Sequence, residues 1–168
     1  MENKNCVYDL IKENIYAALL LRKNGCLKKS VTCAYYSMFL IAKICVDPGD
    51  TLSKHSAVIS KFGREISKNI PECKSLHKYL IETEKRRNLC DYHPEYQVLQ
   101  KEADEVLTWL KEFITKIVTF RLAKGASSAL YYLINNELEI LSDKAFSMMN
   151  SRVKTTTHSK VMFYSKSS

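Results

Sequence analysis

Residues that break helices are scarce in this chain. Its 168 residues include only four glycines and three prolines, and a fold of many strands and tight turns would need more of both. Between these breaks, apolar residues recur every three or four positions, which is the spacing of one face of an α-helix. The pattern is cleanest over residues 97–123. The sequence therefore predicts an all-α fold made of a few long helices.

Five helices are predicted over the first 123 residues, with ends set by glycine, proline and short polar breaks. Gly25 ends the first helix, and the DPGD segment at 47–50 ends the second. Pro94 disfavours helical geometry at His93, so the fourth helix should finish near Tyr92. The second helix is apolar nearly all round, as central buried helices are. The predicted ranges are 6–23, 29–46, 54–68, 72–92 and 97–123.

The chain beyond residue 124 differs from the part before it. We divide the sequence into a helical domain at 1–124, an additional amphipathic helix at 125–150 and a basic tail at 151–168. The tail contains arginine and lysine, many serines and threonines, and no acidic residue. This composition is typical of a mobile segment.

Composition predicts a cytoplasmic globular protein. The longest apolar run, seven residues at 15–21, is shorter than the roughly 20 residues that span a membrane, and the first residues lack the pattern of a secretory signal. The six cysteines form no C-x-x-C pair, so we expect reduced, buried thiols and neither a metal site nor a cofactor.

The formal net charge of +8 makes an anionic partner plausible. Nucleic acid is the first candidate, and an acidic protein is the second.

The segment EKRRNLCDYHPEY, at 84–96, contains the most suggestive cluster of functional side chains. On one continuous helix, Arg87 and His93 would point about 240° apart, because each residue turns the helix by about 100°. They can converge only if the helix ends between them, and Pro94 supplies that ending. Asp91 lies four residues after Arg87 and can form an ion pair with it.

These residue types suit RNA cleavage without a metal. The imidazole of His93 can take the proton of a 2′-hydroxyl, and Arg87 can hold the phosphate with two parallel hydrogen bonds. Tyr92 or Tyr96 can stack on a base. The leaving oxygen needs an acid, which a symmetric partner would supply. A simpler interpretation stays open, in which Arg87 and Asp91 form a surface ion pair worth under about 1 kcal/mol and His93 merely precedes a proline.

Three motifs follow one another along the chain: CAYYSMF at 33–39, KHSAVISKF at 54–62 and RNLCDYHP at 87–94. Taken together in this order, they resemble the HEPN domain family. The resemblance covers about residues 5–123 and extends to the small stand-alone prokaryotic HEPN proteins. It implies an antiparallel helical bundle that dimerises through its central helices.

The same resemblance implies an activity. Many HEPN proteins are metal-independent ribonucleases with an Arg-x4–6-His motif, often with a polar residue directly after the arginine. Arg87, Asn88 and His93 match this pattern. Related toxins are encoded beside a nucleotidyltransferase-like antitoxin. In one toxin branch a tyrosine two positions after the histidine accepts AMP, whereas Glu95 stands there in this chain and Tyr96 follows it.

The sequence thus predicts a homodimeric endoribonuclease of a toxin–antitoxin or defence system, with RNA and an antitoxin as partners and no membrane. The alternative is a non-catalytic module that binds a nucleotide or a partner protein. His55 is either a second imidazole in the cleft or a histidine bonded to a neighbouring helix, and His77 should be solvated. The predicted catalytic residues are Arg87 and His93, with Asn88, Asp91, Tyr92 and Tyr96 in support.

Overall fold

A computed structural model describes residues 2–123, which form five α-helices and, within that range, no strand. The predicted all-α class is therefore confirmed for this part of the chain. The boundary at 124, the additional helix at 125–150 and the tail at 151–168 lie outside the described residues. The helices are α1 (Glu2–Lys23), α2 (Leu27–Val46), α3 (His55–Phe62), α4 (Lys74–Tyr92) and α5 (Gln100–Ala123).

The helices pack as an antiparallel bundle. Gly25 adopts a left-handed φ of 78° in the short turn that reverses the chain between α1 and α2. Arg22, near the end of α1, binds Asp104, near the start of α5. Lys29, near the start of α2, binds Asp91, near the end of α4. Each contact joins the end of one helix to the start of another, as antiparallel packing requires.

Helix α2 is the centre of the bundle and packs against the other four helices. By length and composition alone α2 could cross a membrane, because its most apolar 18-residue stretch has a mean hydropathy of 1.2. However, 61% of that stretch is buried inside the fold. Burial explains its apolar character, since a helix surrounded by others has no face for water. The absence of a membrane partner stays a prediction. The buried apolar side chains of α2 are Val31, Ala34, Tyr35, Met38, Phe39, Ile41, Ala42 and Val46.

The end of α4 lies where the proline predicted it. The helix stops at Tyr92, and the His93 backbone is extended, with φ −119° and ψ 91°. The His93 amide still donates to the Leu89 carbonyl, at 3.1 Å. His93 is therefore attached to the last helical turn while its side chain leaves the helical direction.

The third helix differs from its prediction. Its α-helical part ends at Phe62, and a π-helical turn, Gly63–Ser67, completes the range that we predicted as one helix. At Gly63 an added Cβ atom would lie 2.6 Å from two atoms of the His77 ring. His77, predicted to be solvated, is instead half-buried against this glycine. The close approach of α4 therefore requires a residue without a side chain at position 63.

Gly63→Ala is expected to destabilise the fold by about 1 kcal/mol, because the methyl group overlaps the imidazole and forces it to move. In a His77→Ala background the same change should stabilise by roughly 0.5–1 kcal/mol, because alanine favours helix over glycine. Urea unfolding of the four proteins measures both effects. If Gly63→Ala changed the free energy of unfolding by the same amount and in the same direction with His77 present and in the His77→Ala background, this explanation would be contradicted.

The six cysteines are all free thiols. Cys73 and Cys90 are buried, and burial raises the pKa of the Cys90 thiol to about 11. Cys6 and Cys26 are exposed, so the prediction of burial is wrong for these two. Cys6 lies on α1 and Cys26 in the turn after it, where no helix among the described residues covers them.

Candidate functional site at the end of the fourth helix

Arg87 lies in a partly closed aromatic cradle between α2 and α4. Its Nη2 atom donates to the Tyr36 hydroxyl at 2.5 Å, and its Nη1 atom donates to the Asn88 side-chain oxygen at 2.8 Å. The guanidinium carbon is 5.2–5.6 Å from the ring centres of Tyr35, Tyr36 and Tyr92, within the range of cation–π attraction. Only 13% of the side chain is exposed. The arginine is thus held in a fixed position.

Asp91 connects this arginine to the central helix. One carboxylate oxygen accepts hydrogen bonds from Lys29 and Thr32 of α2, both at 3.0 Å. The other lies 3.1 Å from Arg87 Nε. That contact lacks hydrogen-bond geometry, so the buried Nε atom has no hydrogen-bond partner among the described residues. We therefore treat it as an ion pair that locates the arginine by charge.

The guanidinium stays charged in this setting. Burial opposes the charge and lowers the pKa of Arg87, but the hydrogen bond that Arg87 donates to the Tyr36 hydroxyl and the nearby charges outweigh it, so the net pKa is raised. Arg87 has five N–H groups, and two of its four Nη hydrogens are used within the described residues. Two remain to contact a ligand at the exposed edge of the cradle.

His93 lies just beyond the helix end, with 52% of its side chain exposed. Its Nδ1 atom is 3.0 Å from the Glu95 carboxylate. The backbone amide of Glu95 and then the His93 imidazole lower the pKa of Glu95, so it is ionised and can only accept a hydrogen bond. We therefore assign the proton of a neutral imidazole to Nδ1, which leaves Nε2 as an acceptor.

The structure brings together only part of the predicted set. Asn88 and Tyr92 contact Arg87 directly, and Asp91 pairs with it. Within one chain, the described contacts include none between Arg87 and His93. Tyr96 donates to Glu102 at 3.1 Å and packs against the core, so it is held away from the cradle.

His55 is hydrogen-bonded to a residue of a neighbouring helix, which is the second of the two roles predicted for it. Its Nδ1 atom is 2.9 Å from the Tyr35 hydroxyl, and its ring stacks on Phe39 with centres 4.0 Å apart. Burial of this hydroxyl, followed by the negative charge of Glu84, raises the pKa of Tyr35. His55 therefore supports the tyrosine wall of the cradle from behind.

His55 should make stability depend on pH. Burial first, and then repulsion by Arg87, lower the pKa of His55, so the unfolded chain binds a proton there more readily than the folded chain. The contribution of His55 to the free energy of unfolding is therefore fully present above its unfolded pKa of about 6.5. It is lost as the pH falls towards the lowered pKa of His55 in the folded state. His55→Gln should flatten the change in unfolding free energy between about pH 7 and pH 5. His158→Gln controls for the loss of a histidine, and equal slopes in the wild type and the His55 variant would contradict the assignment.

Two contributors to the site did not emerge as such from the sequence. Neither Tyr36, which accepts a hydrogen bond from Arg87, nor Glu95, which pairs with His93, is among the predicted site residues. Helical spacing could have indicated Tyr36, because it shares one face of α2 with Lys29 and Thr32. Nothing local in the sequence indicates that this face meets Asp91 and Arg87.

Comparison with known proteins supplies one relative. The chain is similar to a UPF0332 protein. That relative, from Thermotoga maritima, is 29% identical over 102 residues, which make up 60% of this chain and 75% of the relative. No family model matches the chain, and no solved structure matches it significantly. The relative's name states no activity, so the UPF0332 similarity indicates kinship and leaves the function to be argued from the site.

Proposed function

We propose that this protein is a metal-independent endoribonuclease of the HEPN type, the toxin component of a toxin–antitoxin or defence system. The observation that carries the proposal is the His93–Glu95 pair, in which a carboxylate orients an exposed imidazole at the end of the same helix that carries the anchored Arg87. The three HEPN-like motifs, the net charge of +8 and the similarity to a UPF0332 protein support it further.

In the proposed reaction His93 Nε2 removes the proton of an RNA 2′-hydroxyl. The 2′-oxygen attacks the adjacent phosphorus, and the bond from phosphorus to the 5′-oxygen breaks. Arg87 binds the non-bridging phosphate oxygens through its unused Nη hydrogens, so the charge that develops during attack is stabilised. The products are a 2′,3′-cyclic phosphate and a 5′-hydroxyl.

The departing 5′-oxygen must receive a proton, and the described residues of one chain offer a single exposed imidazole at this site. We therefore propose that the active form is a homodimer in which a second protomer contributes its own arginine and histidine. Exposed apolar side chains beside the site suit such a contact. Leu89 and Tyr92 are 37% and 69% exposed on the last turns of α4. A nucleotidyltransferase-like antitoxin would then cover the same end of the bundle.

A pair of matched oligonucleotides tests this reaction. In EDTA, the protein should cleave a single-stranded RNA and leave cyclic phosphate ends. The same sequence with 2′-deoxy sugars should stay intact, because it lacks the attacking hydroxyl. Cleavage of both oligonucleotides would contradict transesterification, and activity that appears only on adding a metal would contradict the metal-independent mechanism.

The alternative is a non-catalytic binding module, and one observation favours it. Within a single chain Arg87 is paired with Asp91 and bonded to Tyr36 and Asn88, as a purely structural arginine would be. In that case the cradle binds a nucleotide or a partner protein through the exposed Tyr92. RNA binding without cleavage of any substrate in EDTA would favour this function.

A further inference from the structure

A second concave site lies on the other half of α4, where the π-helical turn Gly63–Ser67 packs against it. The cavity is wide open to solvent on one side and has a volume of about 570 Å³, which is room enough for a small ligand. His77 and Ile81 contribute an imidazole and an apolar surface to its lining. The close approach of His77 to Gly63 shapes one side of it.

The charge of this cavity is strongly positive. Four cationic side chains line it: Arg64, Lys68, Lys74 and Lys78. The single lining carboxylate, Glu82, is already paired with Lys85 at 2.9 Å. Four positive charges and one negative charge leave +3 on the lining. Among the described residues the three lysines form no ion pair, so their charges are available to an anion.

A buried hydroxyl in the lining lacks a partner. Ser67 is 5% exposed, and its Oγ atom makes no hydrogen bond within the described part of the chain. A buried polar group without a partner costs free energy, and this one belongs to a π-helical turn, a feature often found at functional sites. A serine hydroxyl changes rotamer easily, so a bound acceptor would give it the missing hydrogen bond.

We infer that this cavity binds a small diphosphate-bearing ligand, held by Lys74, Lys78 and the Ser67 hydroxyl. One phosphate group carries about −1.5 to −2 near neutral pH, so a diphosphate matches the charge of the lining better than a single phosphate does. This site is separate from the Arg87 cradle and does not depend on ribonuclease activity.

Titration calorimetry of the full chain tests the inference, with ADP and inorganic pyrophosphate as probes. Both should bind, whereas adenosine should not, and sulfate should bind at least tenfold more weakly. Amide signals of Gly63 and Ile81 should shift in two-dimensional NMR spectra on titration with ADP. Equal affinity for sulfate and pyrophosphate, or shifts confined to other helices, would overturn the site.

Two variants and one control separate a built site from a basic surface. The Lys74→Ala/Lys78→Ala double variant should weaken ADP binding at least tenfold, and Lys101→Ala, which removes an exposed lysine of α5, should leave it unchanged. Ser67→Ala should weaken binding about tenfold without lowering stability, because it removes an unpartnered group. Unchanged affinity in both lining variants overturns the inference.

Two further titrations keep this result apart from the proposed ribonuclease. Arg87→Lys should bind ADP as the wild type does, whatever its effect on RNA cleavage, and a loss of ADP binding there would place the ligand in the cradle instead. An RNA oligonucleotide that shifts the Gly63 and Ile81 signals, while ADP and pyrophosphate do not, would assign the cavity to RNA and overturn the small-ligand inference.

Discussion

Arg87→Ala should lower the rate of RNA cleavage by about 10²–10³-fold, because loss of one pre-positioned donor to developing charge has effects of that size. The measurement is the initial rate of RNA cleavage in EDTA, with circular dichroism to verify that the variant is folded. Arg87→Lys keeps the charge but not the two-pronged contact, so its rate should lie between those of wild type and alanine variant.

Arg86→Ala is the matched control for this prediction. Arg86 precedes Arg87 in sequence but faces α5, where it lies over Trp109 at 4.6 Å and donates to the Glu105 carboxylate at 2.5 Å. Both substitutions remove one positive charge from the same turn of α4. A nuclease site requires a much larger loss for Arg87, whereas equal losses would show that the arginines act only through net charge.

Asp104→Ala is expected to be the most destabilising single substitution that we predict. Arg22 is almost fully buried, with 2% of its side chain exposed, and donates to both oxygens of Asp104 at 2.6 and 2.8 Å. Removing the carboxylate takes one counter-ion and two short hydrogen bonds away from a buried positive charge, which costs about 3 kcal/mol. The shift of the urea unfolding midpoint measures this loss.

Glu105→Ala provides the comparison for Asp104→Ala. It removes the neighbouring carboxylate of α5, whose partner Arg86 is far more accessible to water. A half-exposed ion pair is worth under about 1 kcal/mol, so this variant should unfold close to the wild type. Equal destabilisation by the two substitutions would show that burial of Arg22 does not govern the cost.

The helices were predictable because they depend on local information. Apolar spacing places α5, and Pro94 sets the end of α4, since both signals act within a few residues. The π-helical turn was not predictable, because it accompanies contact between Gly63 and His77 from different helices. The ion pair of Arg22 with Asp104 joins residues 82 positions apart, a distance over which sequence periodicity carries no information.

In the candidate site, too, contacts within one helix could be predicted and contacts between helices could not. Arg87 and Asp91 could be grouped from helical spacing alone, Asn88 was added by the resemblance to HEPN proteins, and the structure joins all three. The Tyr36 contact depends on how α2 and α4 align, which no local pattern specifies. The His93–Glu95 pair forms outside the helix, where the spacing rules of helices no longer apply.

The most direct test of the central claim is RNA cleavage in EDTA by the wild type and by His93→Ala, measured side by side. Loss of a general base typically costs about 10²–10⁴-fold in rate, and we expect a loss of that size here, with His158→Ala unchanged. Equal cleavage by the wild type and His93→Ala would remove this histidine from the reaction and contradict the proposed mechanism.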